Sequence, residues 1–138
     1  MLKRAQGLPV VFLLLAANAI AADLRITDTS GFEALITGVT IDYGGMIGTD
    51  REVQGIRVSQ GEAFITAKWA EISSLTVTGR DASLNPAKIS LEIVLKNGKT
   101  VPAALVRKGR MLLIGKSDLG DYSINLEKIR KIVPVQPR

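Results

Sequence analysis

Apolar and polar residues alternate along most of this chain with a period of two. Lys88 to Lys96 reads KISLEIVLK, with Ile89, Leu91, Ile93 and Leu95 on one side and Lys88, Ser90 and Glu92 on the other. Successive strand side chains point to opposite faces, so the pattern predicts a half-buried strand. Val94 interrupts the polar side and points to partial cover on both faces. Asn97-Gly98 follows at once, the pair favoured where a tight hairpin turn needs positive φ at both central residues. The return strand is expected over Lys99 to Val106. Pro102 lies inside it and has no N–H for a ladder bond, which predicts an edge strand or a bulge. A basic turn, Arg107-Lys108-Gly109-Arg110, leads into a second hairpin: MLLIGK, a turn around Asp118-Leu119-Gly120-Asp121, then YSIN.

The earlier part repeats this grammar. Glu33 to Tyr43 reads as a strand with Val39, Ile41 and Tyr43 on one face. Gly44-Gly45 turns the chain, a loop follows, and Val53 to Ser59 pairs with Glu62 to Thr66 across a tight turn at Gln60-Gly61. Leu24 and Ile26 mark one short extra strand. No long stretch holds the i, i+3, i+4, i+7 face of an amphipathic helix.

Each half also ends on large apolar residues three apart: Trp69, Ile72 and Leu75, then Leu126, Ile129 and Ile132. Three is neither the strand period nor that of a long helix. It suits a single 3₁₀ turn, in which i and i+3 eclipse, running into a last strand. Leu35–Val77 and Ile89–Val133 thus read as an internal repeat, with residues 79–88 as the linker and 134–138 as a loose tail. Strand, hairpin, 3₁₀ turn and final strand is an order that resembles small SH3-like barrels, and VLKNGKTVPAAL resembles the strand-turn-strand opening of Sm-type barrels. The expected fold is all-β and antiparallel, a barrel-like sandwich of about nine or ten short strands, compatible with two fused SH3-like units. A 45-residue barrel without staples is marginal alone, so one shared core over residues 22–133 is expected.

The start of the chain stands apart. Lys3 and Arg4 precede an apolar run, and small residues recur with A-x-A spacing at Ala17-Asn18-Ala19 and Ala19-Ile20-Ala21. This is the three-part plan of a cleaved secretory signal. From Gly7 to Ala22 the apolar stretch falls short of the roughly 20 residues of a membrane span. Residues 1–21 are therefore expected to be a signal peptide of bacterial type, cut after Ala21 or, alternatively, Ala19. The remaining chain is then periplasmic or secreted, with no transmembrane span.

Composition narrows the chemistry. The chain has 138 residues, and neither His nor Cys is among them. That removes the commonest general base, thiol catalysis, disulfides and most zinc sites. An enzyme would have to work with carboxylates, Lys, Arg, Ser, Thr or one of two Tyr. The chain is expected to be no enzyme, with no cofactor and no metal.

Charge adds one candidate. The net charge is +5, and losing Lys3 and Arg4 with the leader lowers it to +3. Residues 101–138 hold net +5 against −2 for residues 22–100. Arg107, Lys108, Arg110 and Lys116 are the candidate binding residues, with Lys128, Arg130 and Lys131 as a second basic group. Such a patch attracts anions, so the expected partner is an anionic surface or an envelope protein. Nucleic acid is not expected, because no aromatic residues interleave with the charges.

Weaker candidates are the glycine-rich Gly44-Gly45-Met46-Ile47-Gly48-Thr49, which lacks the strand–helix context of a phosphate loop, and the Asp118/Asp121 turn, which offers too few oxygens for calcium. Trp69 is expected in the core. The functional expectation is an exported, non-enzymatic binding or scaffold module. Its alternatives are a carboxylate-dependent enzyme and an envelope component that assembles through strand-edge pairing.

Overall fold

A computed structural model describes residues 21–44, 50–84, 87–106 and 110–135. The signal-peptide expectation, apart from Ala21, lies outside the described residues. Among these residues eleven strands follow one another: β1 Ala22–Asp28, β2 Glu33–Asp42, β3 Arg51–Glu52, β4 Gly55–Gln60, β5 Ala63–Lys68, β6 Ile72–Asp81, β7 Lys88–Leu95, β8 Thr100–Val106, β9 Leu112–Ser117, β10 Gly120–Asn125 and β11 Ile129–Pro134. Two 3₁₀ turns, Trp69–Glu71 and Leu126–Lys128, precede β6 and β11. The fold is all-β. Every pairing is antiparallel, in one sheet of order β10-β9-β2-β1-β11-β6-β7-β8-β4-β5, with β3 beside β2 off that path. The sheet curls into a half-barrel around a single hydrophobic cluster. Alternation decides which face turns inward: in β7, Ile89, Leu91 and Ile93 are buried while Glu92 is exposed.

The strand order divides the sheet into two arms. The inserted arm, β6-β7-β8-β4-β5, comes from one continuous segment, 55–106. The terminal arm, β11-β1-β2-β9-β10, comes from both ends of the described chain. Hydrogen bonds repeat between them position by position. The β1–β2 turn closes with Asp28 N–H on the Phe32 carbonyl, and the β7–β8 turn with Leu95 N–H on the Lys99 carbonyl. Gly31 and Gly98 supply the positive φ, 93° and 89°, that these two turns require. Trp69 N–H reaches the Gln54 carbonyl as Leu126 N–H reaches that of Met111; Lys96 N–H reaches Glu71 as Thr29 N–H reaches Lys128.

The last strands match too. Ile132 faces Ile26 in the terminal arm, and Leu75 faces Ile93 in the inserted arm. Where the arms meet, β6 pairs with β11 and Leu75 faces Ile132. An approximate two-fold axis passes through that pair. Arg80 clamps the same seam, donating to the carbonyls of Glu127 and, at 2.9 Å, Ile129.

Each arm therefore draws its first hairpin from one half of the sequence and its other strands from the other half. The segment 35–77 gives β2 to the terminal arm and β4, β5 and most of β6 to the inserted arm. The segment 89–133 is divided in the reverse sense. All six apolar residues at three-residue spacing are buried, at 3% exposure or less.

Several local expectations change. The segment 79–88 is less a linker than a hairpin end, because Arg80 pairs with Ile89 and Asp81 with Lys88. Strand β8 is not a sheet edge. Its register with β4 is the single pair Ser59/Ala104, and Pro102 sits beyond it, its carbonyl taking the Gln60 amide at 3.2 Å. The strand at Leu24 and Ile26 is central, paired on both sides. The tail begins tied down: Pro134 is buried and Val135 N–H donates to the Asp23 carbonyl at 2.9 Å.

Candidate functional site

Two of the four candidate binding residues, Arg107 and Lys108, lie outside the described residues, as do Gly45 to Thr49 of the glycine-rich loop. Arg110 is exposed just before β9, and Lys116 is exposed near its far end. At about 3.3 Å per strand residue they stand roughly 20 Å apart. Lys116 pairs with Asp121 across the β9–β10 turn, and that contact holds the Asp121 carboxyl below its usual range. The structure does not bring Arg110 and Lys116 together. Lys128, Arg130 and Lys131 are exposed on the 3₁₀ turn and β11.

A second polar cluster escaped the sequence reading. Tyr43 N–H donates to the Asp50 carbonyl at 2.8 Å, and Arg57 N–H donates to the Tyr43 hydroxyl at 2.8 Å. The Arg57 guanidinium stands 4.5 Å from the Tyr43 ring centroid and 2.7 Å from Asp50, with Glu52 at 4.0 Å. Burial pushes the Tyr43 hydroxyl up to about 12, and Arg57 holds the Asp50 carboxyl below its usual range. A phenol held neutral is a poor base and a poor nucleophile; the cluster ties Tyr43 and Asp50 to β4. One outcome follows for stability. Unfolded Tyr ionises near pH 10, while folded Tyr43 keeps its proton until about 12. Its contribution is complete below pH 10 and is lost as pH rises between 10 and 12. Denaturant titrations across that range should show a fall that Tyr43→Phe reduces; equal falls in both proteins would exclude Tyr43 as the cause.

The most site-like feature is apolar. Among the described residues, the inserted arm has no pairing between β5 and β6, which the 3₁₀ turn connects, and it holds a cleft of about 300 Å³. The walls are Val58 on β4, Ile65 and Ala67 on β5, Ile72 on β6, Ile93 and Leu95 on β7, and Val101 and Ala103 on β8; Gln60, Thr66, Lys68 and Glu71 also line it. Ile65 occupies an inward-facing register, opposite buried Val58, yet is 42% exposed.

The approximate symmetry explains the gap. Ala103 stands where the terminal arm has Ile36, but there Gly115 replaces Val58 to admit the larger chain. A Cβ on Gly115 would lie 2.5 Å from Ile36 Cγ2. That exchange conserves volume. The other does not: Ala67 stands where the terminal arm has Ile124, and Ile65 where it has Tyr122, both of which pack against the core. The sequence held this signal only for a reader who knew which positions correspond.

Trp69 caps the same arm and is 3% exposed, and its indole N–H finds no acceptor among the described residues. Among those residues there is also no cluster of three or more acidic groups placed to hold a metal ion, and no helix long and apolar enough to cross a membrane.

No family model, curated protein or solved structure matches the chain. Its functional reading therefore rests on its own geometry.

Proposed function

We propose that the protein is a non-enzymatic binding module of the bacterial envelope, exported by its signal peptide, and that the cleft of the inserted arm receives an apolar group of its partner. The observation that carries this reading is the truncation at Ala67. It leaves apolar wall exposed in one arm at a position the other arm fills with Ile124. Unfilled space beside Ile65, which is 42% exposed, forfeits packing, at about 0.8 kcal/mol per missing methylene. A fold that fills the matching place in its other arm has the means to fill this one. Ligand pockets share this make-up, mostly apolar walls with a few polar groups.

Titration with octyl glucoside below its micelle concentration tests the reading. Binding on the order of 0.1–1 mM is expected, with methyl resonances of Ile65, Ile93 and Val101 moving. Ala67→Ile should weaken that binding at least about tenfold while raising stability by roughly 0.5–2 kcal/mol, as cavity-filling changes commonly do. No binding to the wild type, or equal binding to Ala67→Ile, would remove the proposal.

A further inference from the structure

We infer that one end of the seam between the two arms is an anion site, which takes a phosphate or phosphomonoester group through Arg80 and Arg130. The register pairs of the seam are Lys131 with Thr76 and Ile132 with Leu75. Past Thr76 and Lys131 the strands β6 and β11 part, beside a cavity of about 380 Å³ lined by Thr29, Val77, Thr78, Gly79, Arg80 and Arg130. Two irregularities place these residues. On β11, Lys131 faces Thr27 and Ile129 faces Asp28, so Arg130 is left over. On β6, Val77 faces Leu91 and Gly79 faces Ser90, so Thr78 is left over. A bulge bends its strand and re-aims a side chain, and bulges recur beside active sites. Both surplus residues line the same cavity, one from each arm.

The charges there suit an anion. Arg80 is anchored by the carbonyls of Glu127 and, at 2.9 Å, Ile129. These acceptors are neutral, so they fix the guanidinium without cancelling its charge, and they use only part of its donor set. Arg130 is exposed, and its guanidinium makes no hydrogen bond or ion pair among the described residues. Among those residues no carboxylate lines the cavity. The carboxylates adjacent in sequence, Asp28 and Asp81, accept instead from Ser30 and Ser83. Thr29 and Thr78 add hydroxyls, and Thr29 is held by its N–H on the Lys128 carbonyl. A carboxylate has too few oxygens to use two guanidinium forks and two hydroxyls. A phosphoryl group offers more acceptors and up to about two negative charges. Arg130 thus joins Arg80 of the other arm, while its neighbour Lys131, in register with Thr27 and Thr76, does not line the cavity.

Inorganic phosphate is the first probe, titrated into the purified chain at about 0.1 M ionic strength, where exposed charges are screened beyond about 10 Å. It should move the amide resonances of Thr29, Thr78, Gly79 and Arg130, and saturate with a dissociation constant on the order of 1–10 mM. Arg130→Gln should raise that constant roughly tenfold or more. Arg130→Lys keeps the charge but loses the planar fork, and should raise it at least about threefold. Lys131→Gln removes the same charge outside the cavity and should change it less than about twofold. Arg130 and Lys131 are both exposed, so the variants retain the fold, which circular dichroism checks. Vesicles of phosphatidylcholine with and without phosphatidic acid separate the two sources of the group. Retention only with phosphatidic acid, lost in Arg130→Gln, assigns a lipid headgroup. Phosphate binding without retention assigns free phosphate or a soluble phosphoester. No saturable shift at the cavity, undiminished binding by Arg130→Gln, or an equal loss in Lys131→Gln would each overturn the proposal.

Discussion

Ile132→Ala should destabilise the protein by about 2–5 kcal/mol, the usual cost of truncating a fully buried isoleucine, and both arms should register the loss. Ile132 is 1% exposed on β11 and faces Ile26 on one side and Leu75 on the other. It belongs to the terminal arm. Trp69, the only Trp, belongs to the inserted arm and is buried there. Its fluorescence therefore reports on an arm that does not contain the substitution. With one core cluster spanning both arms, the Trp69 transition should move to lower denaturant together with the far-ultraviolet signal. A loss under about 0.5 kcal/mol, the range of surface changes, would place Ile132 outside the core. A Trp69 transition that stays in place while the other moves would mean that the arms unfold separately.

The second large effect is expected at Gly55. A Cβ there would sit 2.1 Å from the Ala67 carbonyl oxygen, 2.8 Å from its carbon and 2.9 Å from Lys68 Cα. All three are backbone atoms, so no rotamer change relieves the contact. β5 would have to move away from β4, at the strand that lines the cleft. Overpacking costs about 1–3 kcal/mol where side chains can yield, and Gly55→Ala should reach or exceed the top of that range. Gly79→Ala is the control: nothing lies within 4 Å of its Cβ position, so its effect should stay within about 0.5 kcal/mol. Urea denaturation of the two variants decides the matter. Similar small losses for both would mean that the β4–β5 approach is looser than described.

Period-two alternation, Asn97-Gly98 and the three-residue spacing at Trp69 and Leu126 were sufficient to predict strands, hairpins and buried 3₁₀ turns, because each is a local consequence of backbone geometry. Partner choice is not local. Nothing in KISLEIVLK says that β7 meets β6 rather than β9, and Leu24 and Ile26 read as a marginal strand because their partners lie at the other end of the chain. Pro102 misled for the same reason. A missing N–H marks where a ladder stops, and here β4 stops short of it while β8 stays inside the sheet. The candidate site was hidden more deeply. Charge clusters are visible in sequence, so Arg110 and Lys116 stood out, yet a strand's length separates them. Ala67 is an ordinary residue until its counterpart is known to be Ile124.

The nested layout also fixes the order in which the fold can be completed when strands become available from the N-terminal end onward. Once Val106 has been made, the inserted arm has every strand it needs. The β1–β2 hairpin, made first, waits longest, since β1 finds β11 only when Leu24 meets Pro134. A two-stranded ribbon is marginal in water, and this one holds Leu24, Ile26 and Ile36, all fully buried at the end. Such long-range pairings close slowly and leave sticky strands uncovered meanwhile. The nascent chain is thus most exposed to misassembly and proteolysis through its first hairpin, and the final strand, β11, ends that exposure for both arms together.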